Sequence, residues 1–220
     1  MNVLVACEES QRVCAAFLND GHNAFSCDIV EPSGGMPDRH ILGDALTVVN
    51  GRTYFKTMDG HVHSCVKDSS WDIVIAHPPC TYLSKAGARH LYKDHALNYD
   101  RYILGMQAAN FFKGMLYCSA KHICVENPIP LRIFKLPKYS QIIQPYEYGE
   151  PYTKSTCLWL YNLPLLQPTD IIDPVDTFCP SSKHYPGHGH GQHSKDRQRE
   201  RSKTFKGIAL AMAEQWSNLE

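Results

Sequence analysis

Five short apolar runs in this chain each end in a polar residue, and stretches with helical spacing lie between them. Runs of this length, rich in Val and Ile and without strict alternation, are typical of strands buried on both faces. Strands that alternate with helices form a mostly parallel sheet. The sequence therefore predicts an α/β fold with helices on both faces, with the strands VLVAC (3–7), NAFSCDI (23–29), WDIVIA (71–76), HICVEN (122–127) and TCLWLY (156–161).

The helical pattern is clearest after the first strand. In SQRVCAAFLNDG (10–21), we expect Ser10 to be the N-cap and Gly21 to end the helix. Two more helices are predicted, one over residues from about 95 to 119 and one in KTFKGIALAMAEQW (203–216). The remaining segments are a hairpin at 51–70 with an Asp59-Gly60 turn, inserted between the third and fourth strands, and an irregular loop at 162–202. We therefore predict one domain over 1–220.

Composition narrows the class of protein. A hydrophobic content of 43% and a charged content of 20% are ordinary for a soluble globular domain. The formal net charge is +0, so any binding of nucleic acid requires a local patch. No run is long enough to span a bilayer, and MNVLVACEES resembles a first strand more than a secretory signal. We therefore expect a cytoplasmic location, a host cytoplasm if the gene belongs to a phage, with reduced cysteines and no disulfide framework.

Polar residues follow the predicted strands at the edge where an open α/β sheet binds its ligands. Asp28 follows the second strand, where a carboxylate commonly accepts hydrogen bonds from ribose hydroxyls; the alternative is a solvated loop residue. Gly43-Asp44 follows a third strand expected between NAFSCDI and WDIVIA, which makes WDIVIA the fourth. Asp44 either binds an adenine amino group or caps the run ALTVV. The first loop, ACEESQ, contains no glycine and so argues against NAD or ATP. A nucleoside cofactor without phosphates fits this edge better.

The fourth strand is followed by His77-Pro78-Pro79-Cys80. Two prolines fix two φ angles and each removes a backbone donor, so this turn is stiff. A rigidly placed thiol at a strand end suits a nucleophile, because a thiolate attacks strongly once its pKa is lowered. The alternative is a buried structural thiol, which is the usual role of a cysteine.

Glu126-Asn127-Pro128 ends the next predicted strand, beside Cys80 in a parallel sheet. Partial burial is expected to raise the pKa of Glu126, so that it holds or shares a proton at neutral pH. A thiolate and a protonated carboxyl are what addition to a pyrimidine ring needs. The thiolate attacks C6, the acid supports N3, and C5 becomes carbanion-like and accepts a methyl group.

These residues resemble a known family. Pro78-Pro79-Cys80 resembles the Pro-Cys motif of DNA cytosine-5 methyltransferases, and Glu126-Asn127 resembles their Glu-Asn motif. RSKTFKGIA (201–209) resembles the final motif, which opens the last helix and closes over the cofactor. PYTKSTCLW (151–159) stands where the family has a basic motif that touches the flipped cytosine. The whole chain looks like the short methyltransferase-like proteins of bacteriophages and prophages.

The resemblance implies a Rossmann-like methyltransferase sheet, S-adenosylmethionine as cofactor and double-stranded DNA with a flipped cytosine as partner. It implies that Cys80 is the nucleophile and Glu126 the proton donor to N3, with Asn127 beside it, and that Lys154 contacts the ring oxygen or a phosphate. The cofactor-binding residues it implies are Ala6, Glu8, Ser10, Asp28, Ile29, Asp44, His77, Pro78 and Ser202.

The chain departs from the family pattern at three places. Cys7-Glu8-Glu9-Ser10 replaces the glycine-rich first motif, and the Gln-x-Arg-x-Arg pattern is absent. The stretch between Trp159 and Ser202 is too short for a separate target-recognition domain. These departures leave two further hypotheses, which are modification of pyrimidines in RNA or free nucleotides, and a non-catalytic module that binds nucleic acid or a host protein. The oligomeric state is not determined by the sequence.

The segment before the last helix is basic. It is either a contact for DNA phosphates or a solvated charged face, and its cations include Lys195, Arg197, Arg199 and Arg201. The preceding loop is rich in histidine, and it contains Cys179, His184, His188, His190 and His193. Their spacing matches no standard zinc site, so we predict no metal and favour a glycine-histidine loop that orders on DNA.

Overall fold

The computed structural model describes residues 1–50, 54–64, 71–174, 176–177 and 201–219. Its centre is a seven-stranded, mostly parallel sheet, which confirms the predicted α/β class. The strands of the chain are β1 (Asn2–Ala6), β2 (Asn23–Asp28), β3 (His40–Leu42), β4 (Tyr54–Lys56), β5 (Val62–Ser64), β6 (Ile73–Ala76), β7 (Tyr92–Lys93), β8 (Ala96–Leu97), β9 (His122–Pro128), β10 (Gln141–Ile143), β11 (Tyr152–Thr153), β12 (Thr156–Tyr161) and β13 (Asp176–Thr177).

The strand order of the main sheet is β10-β12-β9-β6-β1-β2-β3. The pairs of β1 with β2 and β6, of β2 with β3 and of β6 with β9 are parallel, whereas β12 runs antiparallel to both β9 and β10. Ala76 at the end of β6 lies in register with Val125 of β9. The residues that follow these two positions, His77 and Glu126, therefore lie side by side at one edge of the sheet.

Helices cover both faces of the sheet. They are α1 (Arg12–Asn19), α2 (Ala45–Val49), α3 (Tyr99–Leu116) and α4 (Lys206–Trp216), with short 3-10 turns at Pro37–Arg39, Lys85–His90, Arg132–Phe134 and Pro145–Glu147. Because side chains alternate along a strand, Leu4 packs in the core under α3 while Val5 packs in the core under α1 and α4. Burial on both faces explains why the central strands are continuously apolar.

Helix α1 begins differently from the prediction. Its N-cap is Gln11, in the left-handed region at φ 56°, with no side-chain capping bond, so the prediction of Ser10 as N-cap is wrong. The Glu8 carboxylate instead accepts hydrogen bonds from the backbone N–H groups of Val13 (2.7 Å) and Cys14 (3.2 Å). The end of the helix follows the prediction, since Gly21 lies just beyond it at φ 83°.

The predicted hairpin is confirmed where the structure describes it. Strands β4 and β5 pair antiparallel around a turn in which Gly60 has φ 94°. Phe55 packs against Phe25, with ring centroids 4.9 Å apart, so the hairpin closes one side of the core. Residues 51–53 and 65–70 of this segment, and 178–200 of the predicted irregular loop, lie outside the described residues.

None of the helices in the described part of the chain has both the length and the apolar character needed to cross a membrane.

Candidate active site

The ends of β6 and β9 bring the predicted catalytic residues together. Asn127 is 1% exposed, and its Nδ2 donates a hydrogen bond to the carbonyl oxygen of Pro78 at 2.7 Å. The Cys80 carbonyl accepts hydrogen bonds from the N–H groups of Leu83 (3.1 Å) and Ser84 (3.0 Å). The turn that carries Cys80 is thus held from both sides, in addition to the stiffness of its two prolines.

Cys80 is partly buried in this turn. Burial raises the pKa of its thiol, the Glu126 carboxylate raises it further, and the cations of Lys154 and Arg201 oppose both effects. In the free protein Cys80 is therefore a thiol near neutral pH, and a group must accept its proton before it can act as a nucleophile.

Glu126 corrects one prediction. Burial does raise its pKa, as expected, but the hydrogen bond and charge of His77 and the charge of Lys154 outweigh burial, so the pKa of Glu126 is lowered. The contact joins His77 Nδ1 and Glu126 Oε2 at 2.9 Å. Both side chains are well buried, at 7% and 13% exposure. Glu126 is therefore an ionised carboxylate, and the prediction of a raised pKa is wrong.

Lys154 lies near the same group. Its Nζ donates a hydrogen bond to the carbonyl oxygen of Arg201 at 2.9 Å and lies 5.6 Å from the centroid of the Phe205 ring. Burial lowers the pKa of Lys154, while the charges of Glu126 and Cys80 raise it. The charge of Lys154 thus acts on the Cys80 thiol, and its hydrogen bond ties the start of the segment before α4 to this edge of the sheet. Ser202, predicted to bind cofactor, is exposed in that segment.

The loop after β1 has no room for a phosphate. Both oxygens of Glu8, which is 4% exposed, accept hydrogen bonds at the start of α1. The N-terminus of the helix after the first strand is where a Rossmann fold binds a pyrophosphate. A carboxylate of the protein already occupies that helix end. Glu8 is therefore a capping residue of α1, and its contact with a cofactor stays a prediction.

The stability of the protein should fall as pH rises, because of Glu8. Burial raises its pKa from 4.5 to about 7 against the opposing effects of His77 and the capping N–H groups. The folded protein therefore binds more protons than the unfolded chain between these two values, and stability is lost across this window. Relative to Glu8→Gln, whose side chain does not titrate, we expect the wild type to lose about 3 kcal/mol of unfolding free energy.

Urea unfolding of both proteins at acidic and neutral pH measures this difference. A difference between the two free energies that stays constant from pH 4.5 to about pH 7 would show that Glu8 titrates normally.

The two acids predicted to bind a nucleoside lie on adjacent loops. The Gly43 N–H donates to the carbonyl oxygen of Asp28 at 2.9 Å, which joins the loops after β2 and β3. Burial raises the pKa of the Cys7 thiol, and Asp28, Cys27 and Asp44 raise it further, so both carboxylates lie around Cys7. Burial also raises the pKa of Asp28. Asp44 is the N-cap of α2, where it accepts from the N–H of Leu46 at 3.1 Å, so the capping alternative is confirmed.

The other predicted cofactor residues have distinct surroundings. Ile29 follows Asp28 and is 77% exposed, so it offers an apolar side chain at this edge. Ala6 is fully buried, and its carbonyl oxygen accepts from the N–H of His77 at 2.9 Å. Ser10 is half-buried on the loop after β1. Pro78 is buried and presents its carbonyl oxygen to Asn127.

Gln11 is a buried polar residue at the start of α1 that the sequence pattern did not single out. Its side-chain amide accepts from the N–H of Met36 (3.0 Å) and donates to the Met36 carbonyl (2.8 Å). At Gly34 a Cβ would lie 2.6 Å from the Cβ of Gln11, so only glycine allows this approach. The segment 31–36 therefore closes over the start of α1. Gly34-Gly35 was the available signal, because adjacent glycines mark close backbone approach.

A second missed feature is a basic groove that follows Cys80 in the chain. It has a volume of about 590 Å³, and its lining includes Tyr82, Tyr92, three cations (Arg89, Lys93 and Arg101) and one acid, Asp100. The Arg101 guanidinium lies 4.9 Å from the centroid of the Tyr82 ring, and its Nη2 donates to the Thr81 carbonyl at 3.1 Å. Interleaved Arg, Lys and Tyr could have indicated it in the sequence.

Of the predicted cationic patch, Arg201 is described and lies beside Lys154. Lys195, Arg197 and Arg199 lie outside the described residues, as do Cys179 and the histidines of the preceding loop.

No family model matches this chain, and no curated protein matches its sequence. Among solved structures it is similar to one described as a "putative DNA modification methyltransferase" encoded within an Escherichia coli prophage. The TM-score is 0.43 at 15% identity, and the match covers 80% of this chain and 53% of that one. The chain thus spans about half the length of that protein. Function is therefore inferred from the residues of this chain alone.

Proposed function

We propose that this protein transfers a methyl group from S-adenosylmethionine to C5 of cytosine in DNA, through a covalent adduct at Cys80. The observation that carries the proposal is that the Cys80 thiol and the Glu126 carboxylate follow adjoining ends of two parallel strands. They are close enough for the charge of Glu126 to raise the pKa of Cys80. Addition to a pyrimidine needs a thiol side chain that attacks the ring and a carboxyl side chain that acts on the same ring.

The pKa directions give the resting state, which is a thiol at Cys80 beside an ionised carboxylate at Glu126. The proton leaves Sγ of Cys80 for the ionised Glu126 carboxylate, and the resulting thiolate forms a bond to C6. Glu126 then donates that proton to N3 as negative charge develops on the ring. The charge of Lys154 stabilises the anionic states of Cys80 and Glu126. After the methyl group has been added, water takes the C5 proton as the C5–C6 double bond re-forms and Sγ leaves C6. The N3 proton returns to Glu126 and from there to Sγ, which restores the resting thiol and carboxylate.

The edge formed by the loops after β2 and β3 fits a nucleoside without phosphates. Asp28 supplies a carboxylate for ribose hydroxyls, and the exposed Ile29 can pack on a base. The capping of α1 by Glu8 leaves that helix end without a phosphate site. When bound, S-adenosylmethionine would supply the electrophilic methyl group.

A nucleic-acid substrate is supported by the basic groove. Cations track a phosphate backbone, and exposed tyrosines stack on bases that have left a duplex. Tyr92 is 56% exposed in this groove, beside Arg89 and Lys93. Tyr82 in the groove lining lies two positions after Cys80 in the chain, so a strand bound in the groove would pass near the turn that carries the thiol. The cytosine must leave the duplex, which costs a few kcal/mol.

Covalent trapping tests the proposal. With S-adenosylmethionine and duplex DNA that contains 5-fluorocytosine, the wild type should form an adduct that survives denaturation, since fluorine at C5 prevents release. Cys80→Ser should form none, and Arg89→Glu should form the adduct more slowly, with a weaker dependence on salt. No adduct from the wild type, under conditions where a control methyltransferase gives one, would reject the proposal.

The same reagents identify other substrates. Methylation found by mass spectrometry only in RNA or in free nucleotides would also contradict the proposal. The basic groove would then bind RNA, or no nucleic-acid strand, in place of DNA.

A further inference from the structure

His77 has a contact that pyrimidine addition does not by itself require. It follows β6 directly, and its N–H donates to the Ala6 carbonyl at 2.9 Å, which fixes its backbone beside β1. Its side chain is 7% exposed, and Nδ1 lies 2.9 Å from Oε2 of Glu126, a residue 49 positions away in the chain. A polar ring is thus buried between two strand ends and directed at the carboxylate.

The chemistry of this contact determines the direction of the hydrogen bond. An ionised carboxylate only accepts, so Nδ1 carries the proton and donates it. The other ring nitrogen, Nε2, is buried and has no hydrogen-bond partner among the residues that the structure describes. A buried polar atom without a partner is unfavourable. The hydrogen bond from Nδ1 to Glu126 is therefore the favourable contact that offsets the burial of the unpaired Nε2 atom.

Charged and titratable groups approach this pair from every neighbouring element. Glu8 faces His77 from the loop after β1, and Lys154 faces Glu126 from the segment between β11 and β12. Cys124 on β9 and Cys157 on β12 also interact with the charge of Glu126. Arg201 acts on Cys80, as does Lys154.

We propose that His77 is a positioning residue that keeps Glu126 ionised beside Cys80, so that the thiol stays protonated until a substrate ring arrives and Glu126 is ready to accept its proton. The role of His77 in methyl transfer rests on the proposed function, whereas the coupling among His77, Glu126 and Cys80 does not depend on it. The S–H bond breaks as the O–H bond of Glu126 forms, and the histidine neither gains nor loses a proton.

A resting thiol has a clear advantage at this position. Oxidants and electrophiles react with thiolates, so a partly exposed cysteine that stays protonated resists damage between turnovers. Loss of His77 removes the largest effects that oppose burial, so the pKa of Glu126 should rise and its carboxylate should disfavour the Cys80 thiolate less. The variant should therefore have a Cys80 that reacts faster with small electrophiles.

Alkylation by iodoacetamide across a range of pH, read by peptide mass spectrometry, measures this coupling. The proteins compared are the wild type, His77→Phe, Glu126→Gln and the double variant. We expect each single variant to lower the pH midpoint for Cys80 and to speed its alkylation at pH 7 by about threefold or more. The double variant should match Glu126→Gln, because His77 acts through that carboxylate.

Internal controls separate coupling from damage to the fold. Cys14 and Cys124 are fully buried and should stay unmodified in every folded variant. An unchanged midpoint in His77→Phe would overturn the inference. So would a shift that persists in the Glu126→Gln background, since it would then be a local structural effect. Lower pH midpoints without a DNA adduct would support the coupling and reject the proposed function. A DNA adduct with unchanged midpoints would support the proposed function and reject the coupling.

Discussion

Glu126→Gln is expected to slow methyl transfer to DNA by about two to four orders of magnitude. The amide oxygen can still accept the hydrogen bond from His77 Nδ1, and the side chain keeps its volume, so the edge of the sheet should remain folded. The amide cannot accept the proton of Cys80 or donate it to N3. Single-turnover transfer of a labelled methyl group to duplex DNA measures the loss of this step.

The matched control is Glu214→Gln, which makes the same chemical change at an exposed position of α4. This variant should transfer at the wild-type rate. If Glu126→Gln also turned over like the wild type, another group would have to move the proton, and the order of events given above would be wrong.

Gly207→Ala should lower the free energy of unfolding by about 3 kcal/mol or more. Gly207 lies in the first turn of α4, where an added Cβ would come within 1.8 Å of the carbonyl oxygen of Tyr148 and 3.1 Å of its Cβ. The atom in the way belongs to the backbone, so no side-chain rotation relieves the overlap. Urea unfolding followed by the far-UV signal measures the change.

Gly43→Ala is the control for this substitution. A Cβ at Gly43 would meet no atom within 4 Å, and its φ is not positive, so the variant should unfold within about 0.5 kcal/mol of the wild type. Equal destabilisation by the two substitutions would show that α4 can shift away from Tyr148.

Features that repeat along the chain were predictable from the sequence. Burial on both faces makes a strand continuously apolar, so the five main strands were located to within a few residues. The parallel arrangement follows from the alternation with helices, and it correctly placed Glu126 beside the turn that carries Cys80. The antiparallel direction of β12 was not predicted, because an apolar run contains no sign of the direction in which it is paired.

Contacts between distant residues were not predictable in this way. The pKa of Glu126 was expected to rise because burial was the only effect visible in the sequence, whereas the opposing His77 lies 49 positions away. Glu8 follows the first strand, and nothing in its local pattern shows that the carboxylate turns back to cap α1. Both errors concern where one buried side chain points, which depends on the assembled fold.

The position of β1 has a consequence for synthesis of the protein. This strand is made well before its partner β6, which begins about seventy residues later, yet it lies inside the sheet. Helix α1 packs with α4, which follows all the strands of the main sheet. A chain leaving the ribosome therefore carries an uncovered apolar helix face until α4 has emerged, and fragments that end before α4 should aggregate.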